Sequence, residues 1–568
     1  GARPAVLTVE MALYAAISLV ALAVRLAYLG RWPLLPTGLQ TALAAWRTVH
    51  GESARPDLYV PLLYDANLAL FWLTEASDAV ARLLPALAGA ALVWLPYLGR
   101  DYLGRVGALA AALLLALAPG WVFYSRTADW PILSAFFGAL LVAALWRYVR
   151  GGGVRASRVA AVALGLGLTA GPGMITTLLG LGIVVATTRL FSRDGERWAP
   201  LGAALRALGE PANLWLAGGS FLLAGSALLA NVDGVGQSVA WVGRWVAALR
   251  PEASGLGPFY YLTTLVIYEP LTIALALTGV VWGVARREAL DTGLALWALM
   301  ALLLGTALGH RDPAWLLDAL LPLVVLAGRG AQRAWDALRP GFTVQDGIAV
   351  YGAFIVVGFG LVALTRYVHV ADDAWRGYAM LTAGALLVAW VAYWLWAGDQ
   401  GIRVGAVVAL TLLAGLTVRA STALAYQTGR DPREPILRNP TSVQMRDLET
   451  LVASTAAHFV TDRVALTVEY ERALGDVMGW YLRDYPLASE EPMVRAGAPV
   501  ATVLIRHSEG PADWPAQYVG QAFRLRETWD WSTSGLLWHD RLRWFLFREP
   551  VGTEGAETVH CWVRLLGR

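Results

Sequence analysis

Hydrophobic runs of about twenty residues follow one another from residue 8 to residue 426. Each run is long enough to cross the hydrocarbon layer of a membrane, about 30 Å thick, as an α-helix. The pattern predicts about thirteen spans, at 8–29, 79–99, 105–124, 131–149, 157–170, 173–191, 212–231, 259–284, 290–309, 313–328, 345–366, 376–397 and 403–426. Residues 1–426 are therefore predicted to form an all-α polytopic transmembrane domain.

The end of the chain has a different pattern. Residues 427–568 carry 16 arginines and 19 acidic residues, whereas the longer part before them carries only 29 and 23. The prolines at 432, 435 and 440 indicate a linker at 427–440. From 441 to 568, helical periodicity at 445–458 and 472–485 alternates with strand-like runs at 463–468, 500–505, 544–547 and 559–565. This alternation predicts a soluble α/β domain, whose tryptophans fit either an aromatic core or a sugar-stacking surface.

Arginines in the short connections predict the orientation, because positive residues resist translocation. With the amino terminus inside, the inner connections contain sixteen arginines and the outer ones nine. An odd number of spans then puts the α/β domain on the outer face, together with the loops 30–78 and 232–258. We expect a protein integral to the cell (plasma) membrane, with a cytoplasmic amino terminus and an extracytoplasmic carboxyl-terminal domain.

Composition narrows the chemistry further. The chain is 57% hydrophobic, and its 45 basic and 42 acidic residues are too balanced for a nucleic-acid-binding protein. Every basic residue is arginine, which excludes Schiff-base chemistry on a lysine. The single cysteine, Cys561, excludes an intramolecular disulfide.

Two segments of the outer loops have the periodicity of surface helices. They are 37–50, which is followed by Tyr59-Val-Pro-Leu-Leu-Tyr64, and 236–250. One interpretation is packing at the membrane interface. The other is that the two helices form the walls of a groove in which a lipid-borne substrate meets its acceptor.

Ionisable residues near membrane depth are candidates for function because burying them is costly. Arg126 and Asp129 follow the third span, and Glu269 interrupts the eighth. Arg126 and Asp129 fit either a site or a simple ion pair across one helical turn. The turn His310-Arg-Asp-Pro313 places Arg311 at a helix entrance, an arrangement that suits a phosphate group but also fits a plain loop.

The order of several motifs resembles the type-C membrane glycosyltransferases, the superfamily of the protein O-mannosyltransferases and the lipid A aminoarabinose transferase. The matching residues are 78–89, 95–105, Ala118-Pro119 and Tyr124-Ser-Arg126. Two more motifs, Gly257-Pro-Phe-Tyr-Tyr261 leading to Tyr268-Glu-Pro270 and Pro313-Ala-Trp315 with Leu321-Pro322, most resemble a prokaryotic branch described as flippase-associated. The resemblance covers roughly residues 8–330. It implies a polyprenyl-phosphate sugar donor and transfer on the outer face.

Four polar positions expected from that resemblance are absent. Leu35–Gln40 lacks the acidic pair usual after the first span, and Pro131 stands where a second aspartate is usual. Val60 and Ala170 replace a usual histidine and lysine. The catalytic motifs are therefore degenerate. Such a change matters, because losing a positioned general base typically lowers a rate by about 10²–10⁴-fold.

Substitutes for these residues can be named. The candidate bases are Asp57, Asp65 and Asp129, and Asp129 requires a non-helical backbone at Trp130-Pro131. Arg126 and Arg311 are the candidate phosphate contacts, and Tyr64, Tyr260, Tyr261 and Glu269 are the candidate groove residues. The sequence has no strong metal motif, so the need for a divalent metal or other cofactor is left open.

Two functions remain at this point. In the first, the protein is a glycosyltransferase that moves a sugar from a polyprenyl phosphate to an acceptor. In the second, it is a catalytically inactive relative that binds membrane lipid or partner proteins as a subunit of a membrane complex. The missing carboxylates favour the second function, and the resemblance favours the first.

Overall fold

The structure is a computed structural model of the full chain. It describes residues 8–52, 59–191, 199–249, 256–307, 311–339, 342–370, 372–459, 465–491, 501–507, 518–531 and 535–564.

The helices of the membrane domain follow the predicted order. They are α1 (Val9–Leu26), α2 (Pro36–Val49), α3 (Pro61–Leu73), α4 (Asp78–Ala81), α5 (Leu83–Ala91), α6 (Leu95–Leu98), α7 (Arg100–Leu103), α8 (Arg105–Leu117), α9 (Pro119–Ser125), α10 (Pro131–Arg147), α11 (Gly153–Thr169), α12 (Gly173–Phe191), α13 (Ala199–Leu208), α14 (Pro211–Gly225), α15 (Asp233–Ala247), α16 (Tyr260–Tyr268), α17 (Pro270–Ala285), α18 (Ala289–Ala307), α19 (Leu316–Leu338), α20 (Val344–Val370), α21 (Asp373–Ala397) and α22 (Asp399–Tyr426).

Within the described ranges, nine helical segments are long and apolar enough to cross a membrane, or up to eleven if each bent helix pair is one span. The difference from the predicted number has two causes. The segment Pro131–Thr169 counts once although it contains α10 and α11, which meet at a turn where Arg150 and Gly151 are non-helical. In addition, α14 has 15 residues and is about 22 Å long. A helix of that length is too short to cross a layer of about 30 Å unless the bilayer becomes thinner around it.

Two spans are broken at prolines. The axis bends by 51° between α8 and α9 and by 105° between α16 and α17. Pro119 and Pro270 each start the second helix of a pair, where proline's missing N–H costs nothing. The buried Glu269 carboxylate serves both breaks, because it accepts hydrogen bonds from the Gly120 amide at 2.9 Å and from the Thr272 hydroxyl at 2.7 Å. We therefore assign Glu269 a helix-capping contact.

The carboxyl-terminal domain is α/β as predicted. Its elements are α23 (Gln444–Phe459), β1 (Val468–Glu471), α24 (Gly475–Tyr481), β2 (Ala488–Glu491), β3 (Val503–Arg506), β4 (Tyr518–Thr528), α25 (Trp538–Phe547) and β5 (Gly555–Arg564). The strand order is β2-β1-β3-β5-β4, with β1 parallel to β2 and β3 and with β5 antiparallel to β3 and β4.

The strand predicted at 544–547 is wrong, because these residues are the last turn of α25. Asp540 caps the start of that helix by accepting from the Leu537 amide at 3.3 Å. Trp544 is buried against the ring of Trp531, with centroids 4.8 Å apart. Trp529 packs edge-on against Trp531, so these tryptophans form an aromatic core.

The first-loop helix differs from its predicted setting. α2 occupies the predicted residues, and its apolar face packs against α24 of the α/β domain. Leu39 and Leu43 share one hydrophobic core with Val477 and Met478 of the α/β domain. The apolar face that suggested membrane contact is thus covered by protein.

The α/β domain is also attached by a buried carboxylate. Asp78, at the start of α4, accepts hydrogen bonds from the indole of Trp480 and the guanidinium of Arg446, both at 2.7 Å. The Tyr481 hydroxyl lies 3.4 Å from the same carboxylate and receives a hydrogen bond from the Leu34 amide. The domain therefore lies directly on the loop of residues 30–78.

Candidate functional site

Asp129 lies in a non-helical turn between α9 and α10. The turn spans 126–130 and ends where Pro131 starts α10, and Trp130 itself has helical φ and ψ of −68° and −30°. The Asp129 carboxylate accepts from the Thr37 hydroxyl at 2.7 Å and from the Trp130 amide at 2.7 Å. The non-helical backbone predicted at Trp130-Pro131 thus lies earlier, in the turn and bends from 126 to 129.

Burial raises the pKa of Asp129 to about 6, against the opposing effect of its two hydrogen bonds. The nearby Asp312 carboxylate adds to the increase by like-charge repulsion. A carboxylate with this pKa is ionised at neutral pH and is a better proton acceptor than an ordinary aspartate. This is the property that a general base needs.

Other polar side chains surround Asp129. The Tyr124 hydroxyl lies within electrostatic range of Asp129, Asp312, Tyr260 and Tyr261. Among the described residues, this hydroxyl is buried without a hydrogen-bond partner. Tyr261 in turn donates to the Asp312 carbonyl at 2.8 Å.

A further carboxylate, Asp318, belongs to the same group. It is buried near the start of α19, within electrostatic range of Tyr261, and its Oδ2 has no hydrogen-bond partner in the described part of the chain. We use the name outer acidic cluster for Tyr124, Asp129, Tyr260, Tyr261, Asp312 and Asp318, where outer means the end of the membrane domain that carries the α/β domain. The sequence analysis did not select Asp318, although a carboxylate inside a predicted span is itself a signal.

The two arginines predicted as phosphate contacts donate to backbone carbonyls. Arg126 donates to the last carbonyls of α1 and the residues after it, those of Val24, Arg25, Ala27 and Tyr28, at 2.8 to 3.3 Å. Its guanidinium also lies over the ring of Tyr426, 4.9 Å from the centroid. Arg311 donates to the carbonyls of Thr306 and Leu256. Both guanidiniums thus fix the ends of helices and loops.

The remaining candidates are spread over the outer side. Asp57 lies outside the described residues. Asp65, on α3, accepts from the Ala227 amide at 3.1 Å, and burial raises its pKa to about 7. Tyr64 pairs its hydroxyl with that of Thr48 at 2.8 Å and packs in the core beneath the α/β domain. Tyr260 and Tyr261 lie within electrostatic range of Tyr124 and Asp312, whereas the hydrogen bonds described for Asp65 and Tyr64 involve other residues.

The segment 427–440, predicted as a linker, is packed against the outer acidic cluster. Tyr260 donates to the Pro435 carbonyl at 2.5 Å, and Ile436 and Leu437 belong to the same hydrophobic core as Tyr124 and Tyr261. This segment therefore covers part of the cluster.

Glu434 anchors the segment. Its carboxylate is completely buried and receives hydrogen bonds from Tyr268 and Thr428, with the Arg548 guanidinium 3.1 Å away. Burial raises the pKa of Glu434 although Arg548 opposes the shift.

The described residues contain no group of three or more histidine, cysteine, aspartate or glutamate side chains placed to hold a metal ion. In the outer acidic cluster, Asp129 and Asp312 interact electrostatically, and Asp312 and Asp318 both act on Tyr261, without forming such a set. We therefore assign no metal ligands.

Comparisons with known proteins give a fold but no close relative. No protein-family profile matches the sequence, and no curated protein matches it. The structure is similar to that of ArnT from Cupriavidus metallidurans bound to undecaprenyl phosphate, with a TM-score of 0.53 and 17% identity over 84% of this chain and 85% of that one. It is also similar to the apo oligosaccharyltransferase of Archaeoglobus fulgidus, with a TM-score of 0.50 and 13% identity over 84% of this chain and 64% of that one. The chain therefore has the fold of the type-C membrane glycosyltransferases.

Proposed function

We propose that the protein handles a polyprenyl-phosphate-linked sugar on the membrane face that carries the α/β domain, with Asp129 as the general base. The observation that carries this proposal is the position of Asp129: it lies on a non-helical turn, its pKa is raised to about 6, and Tyr124 and Asp312 lie within electrostatic range of it. The fold supports the proposal, since a solved protein with the same fold binds undecaprenyl phosphate.

The chemistry follows from these groups. An acceptor hydroxyl transfers its proton to the Asp129 carboxylate as its oxygen bonds to the anomeric carbon of the sugar. The bond from that carbon to the phosphate oxygen breaks, and the polyprenyl phosphate leaves with the electron pair. The buried hydroxyl of Tyr124 is free to donate to a sugar or phosphate oxygen.

The test uses the purified full-length chain with mannosyl-phosphoryl-undecaprenol and membranes of the source cells as the acceptor. We expect release of undecaprenyl phosphate, measured by mass spectrometry, to fall by about 10²–10⁴-fold in Asp129→Asn. Asp57→Asn and Asp65→Asn are the matched controls. Equal release by the Asp129 variant and the unchanged protein would refute the role of Asp129, and loss in a control variant instead would move that role to its residue.

A second candidate function is a catalytically inactive subunit that binds lipid or partner proteins. Two observations favour it: the carbonyl contacts of Arg126 and Arg311, and the covering of the cluster by residues 427–440. Undecaprenyl phosphate that binds to the purified protein, with no donor turnover for mannosyl, glucosyl or aminoarabinosyl donors, would support this candidate against transfer.

The orientation belongs to the same proposal: the amino terminus is cytoplasmic, the α/β domain is extracytoplasmic, and the membrane is the plasma membrane. Cys561 is completely buried, so labelling it in the native protein gives no information on sidedness. Protease added to intact spheroplasts should remove epitope tags placed after residue 568 and leave tags placed before residue 1 intact. The reverse pattern would overturn the orientation.

A further inference from the structure

A second site lies at the opposite end of the membrane domain. A cavity of about 630 Å³ is enclosed by α10, α12, α13, α18 and α19 together with the segment from α5 to α8. Its volume falls within the range of about 300–1,000 Å³ that is usual for small-molecule sites. Nearly all of the lining is leucine, valine, alanine and aromatic side chains.

The cavity opens away from the α/β domain. Its lining includes Arg150, in the turn between α10 and α11, and Glu288, in the turn between α17 and α18. The helices that lead to these turns start on the other side, since α10 follows Asp129 and α16 begins at Tyr260, which contacts Pro435. The site is thus separate from the outer acidic cluster.

The length of the cavity matches one leaflet of a bilayer. On α10 the lining residues run from Ala139 to Val149, about 15 Å at 1.5 Å per residue. Half of a hydrocarbon layer of about 30 Å is the same distance. One lipid chain that enters from the adjacent leaflet would therefore be enclosed along that leaflet's depth.

The lining contains unused hydrogen-bond donors and a cation. The indole N–H groups of Trp146 and Trp297 are buried without an acceptor in the described part of the structure. Trp146 lies one turn before Arg150, whose only described ion pair, with Asp101, is exposed and 3.9 Å long. An ester carbonyl can accept from an indole, and a phosphate can pair with an arginine near the membrane surface.

We propose that this cavity binds one acyl chain of an anionic phospholipid from the leaflet opposite the α/β domain, with its head group at Arg150. Short helix α13 contributes Pro200, Leu201 and Leu205 to the lining and covers the chain at the membrane surface. The proposal does not depend on sugar transfer at the outer acidic cluster.

The first test fills the cavity. Val185 lines it, whereas Val281 on α17 is exposed on the outside of the helices. The full-length chain is purified in mild detergent and washed, and the retained lipids are extracted and quantified by mass spectrometry. We expect phospholipid retention near one-to-one with the unchanged protein, a decrease of about tenfold or more in Val185→Trp, and no decrease in Val281→Trp.

The second test is directed at the head group and does not depend on whether the filled variant folds. We expect Arg150→Gln to lower the preference for phosphatidylglycerol over phosphatidylethanolamine about fivefold, and Arg147→Gln, three residues earlier and outside the lining, to leave it unchanged. Delipidated protein should also gain thermal stability when dioleoylphosphatidylglycerol is added.

Three results would overturn the proposal. In the first, the unchanged protein retains no phospholipid and gains no stability from it. In the second, the lipid that it retains is polyprenyl phosphate. In the third, Arg150→Gln and the unchanged protein have the same lipid preference.

Discussion

The attachment of the α/β domain depends on one buried carboxylate, which the substitution Asp78→Asn tests. The side chain keeps its shape, but an amide NH2 group can replace the oxygen that accepts from Arg446 at 2.7 Å. That NH2 group is a hydrogen-bond donor and would face the donor group of Arg446. Trp480 still finds an acceptor. Arg446 and the buried Arg82 lose their neighbouring negative charge.

Breaking a buried ion pair costs about 3–5 kcal/mol. We expect the lower end, about 3 kcal/mol, because Arg446 is one-third exposed and keeps its ion pair with Glu449 at 2.9 Å. An energy of that size raises the population of the undocked domain roughly 10²-fold. The undocking exposes α24 and residues 427–437, which are protected in the closed arrangement.

Hydrogen–deuterium exchange measures this opening directly. In Asp78→Asn, amides of α24 should exchange faster by about the same 10²-fold, while α8 and α19 exchange as before. Asp476→Asn is the matched control, because Asp476 also joins the two domains, by accepting from Gln40 at 2.8 Å, but it is exposed to solvent. That control should cost less than about 1 kcal/mol. If both variants exchange alike in α24, a buried carboxylate does not hold the domain and the reasoning fails.

Three further predictions concern the outer side. Arg126→Gln removes the contacts at the end of α1, so we expect a lower melting temperature with an unchanged Kd for undecaprenyl phosphate; a Kd raised about tenfold or more would instead make Arg126 a phosphate contact. Gly38→Ala should reduce both stability and donor turnover, because its Cβ would lie 2.4 Å from the Ala128 carbonyl oxygen beside Asp129. Gly218→Ala is the control and should reduce neither, because the space around its Cβ is open. Circular dichroism melting and the turnover assay check both variants, and equal effects would contradict the tight contact at Gly38. Because Asp129 must be ionised to accept a proton, kcat/KM should be level above pH 6 and fall about tenfold per pH unit below it, and a limb near pH 4 would exclude this group.

The membrane helices could be predicted from the sequence because each hydrophobic run carries its own signal. A proline is also a local signal of a bend in a helix, and both strong bends lie at a proline, Pro119 or Pro270. The count was less certain where two short helices meet in a tight turn, as at residues 148–152, because hydropathy does not record the change of direction.

Partners that are distant in sequence could not be predicted. The apolar face of α2 fits a membrane surface as well as it fits α24, and only the fold decides between them. In the same way, prolines predicted a linker at 427–440, and its contacts could not be predicted, because Glu434 binds Tyr268 and Arg548, which are more than a hundred residues away in opposite directions along the chain.

The candidate site shows the same limit. Asp129 was selected together with a condition on its backbone. The turn around Asp129 is non-helical, but Trp130, at the step where the condition was placed, has helical φ and ψ. Asp312 and Asp318 were not selected, because what relates them to Asp129 is the approach of α9, α16 and α19 to one another. Arg126 follows a recognisable motif, but its donors reach the carbonyls of α1, a contact that no local pattern encodes.

The most direct test of the proposed function is a structure of the full-length protein, determined by cryo-electron microscopy in lipid nanodiscs with mannosyl-phosphoryl-undecaprenol. We predict the sugar between Asp129, Tyr124 and Tyr261, with its anomeric carbon on the side of the Asp129 carboxylate and residues 435–437 displaced from Tyr260. A donor whose sugar and phosphate lie away from the outer acidic cluster, with residues 435–437 still in place, would contradict the account.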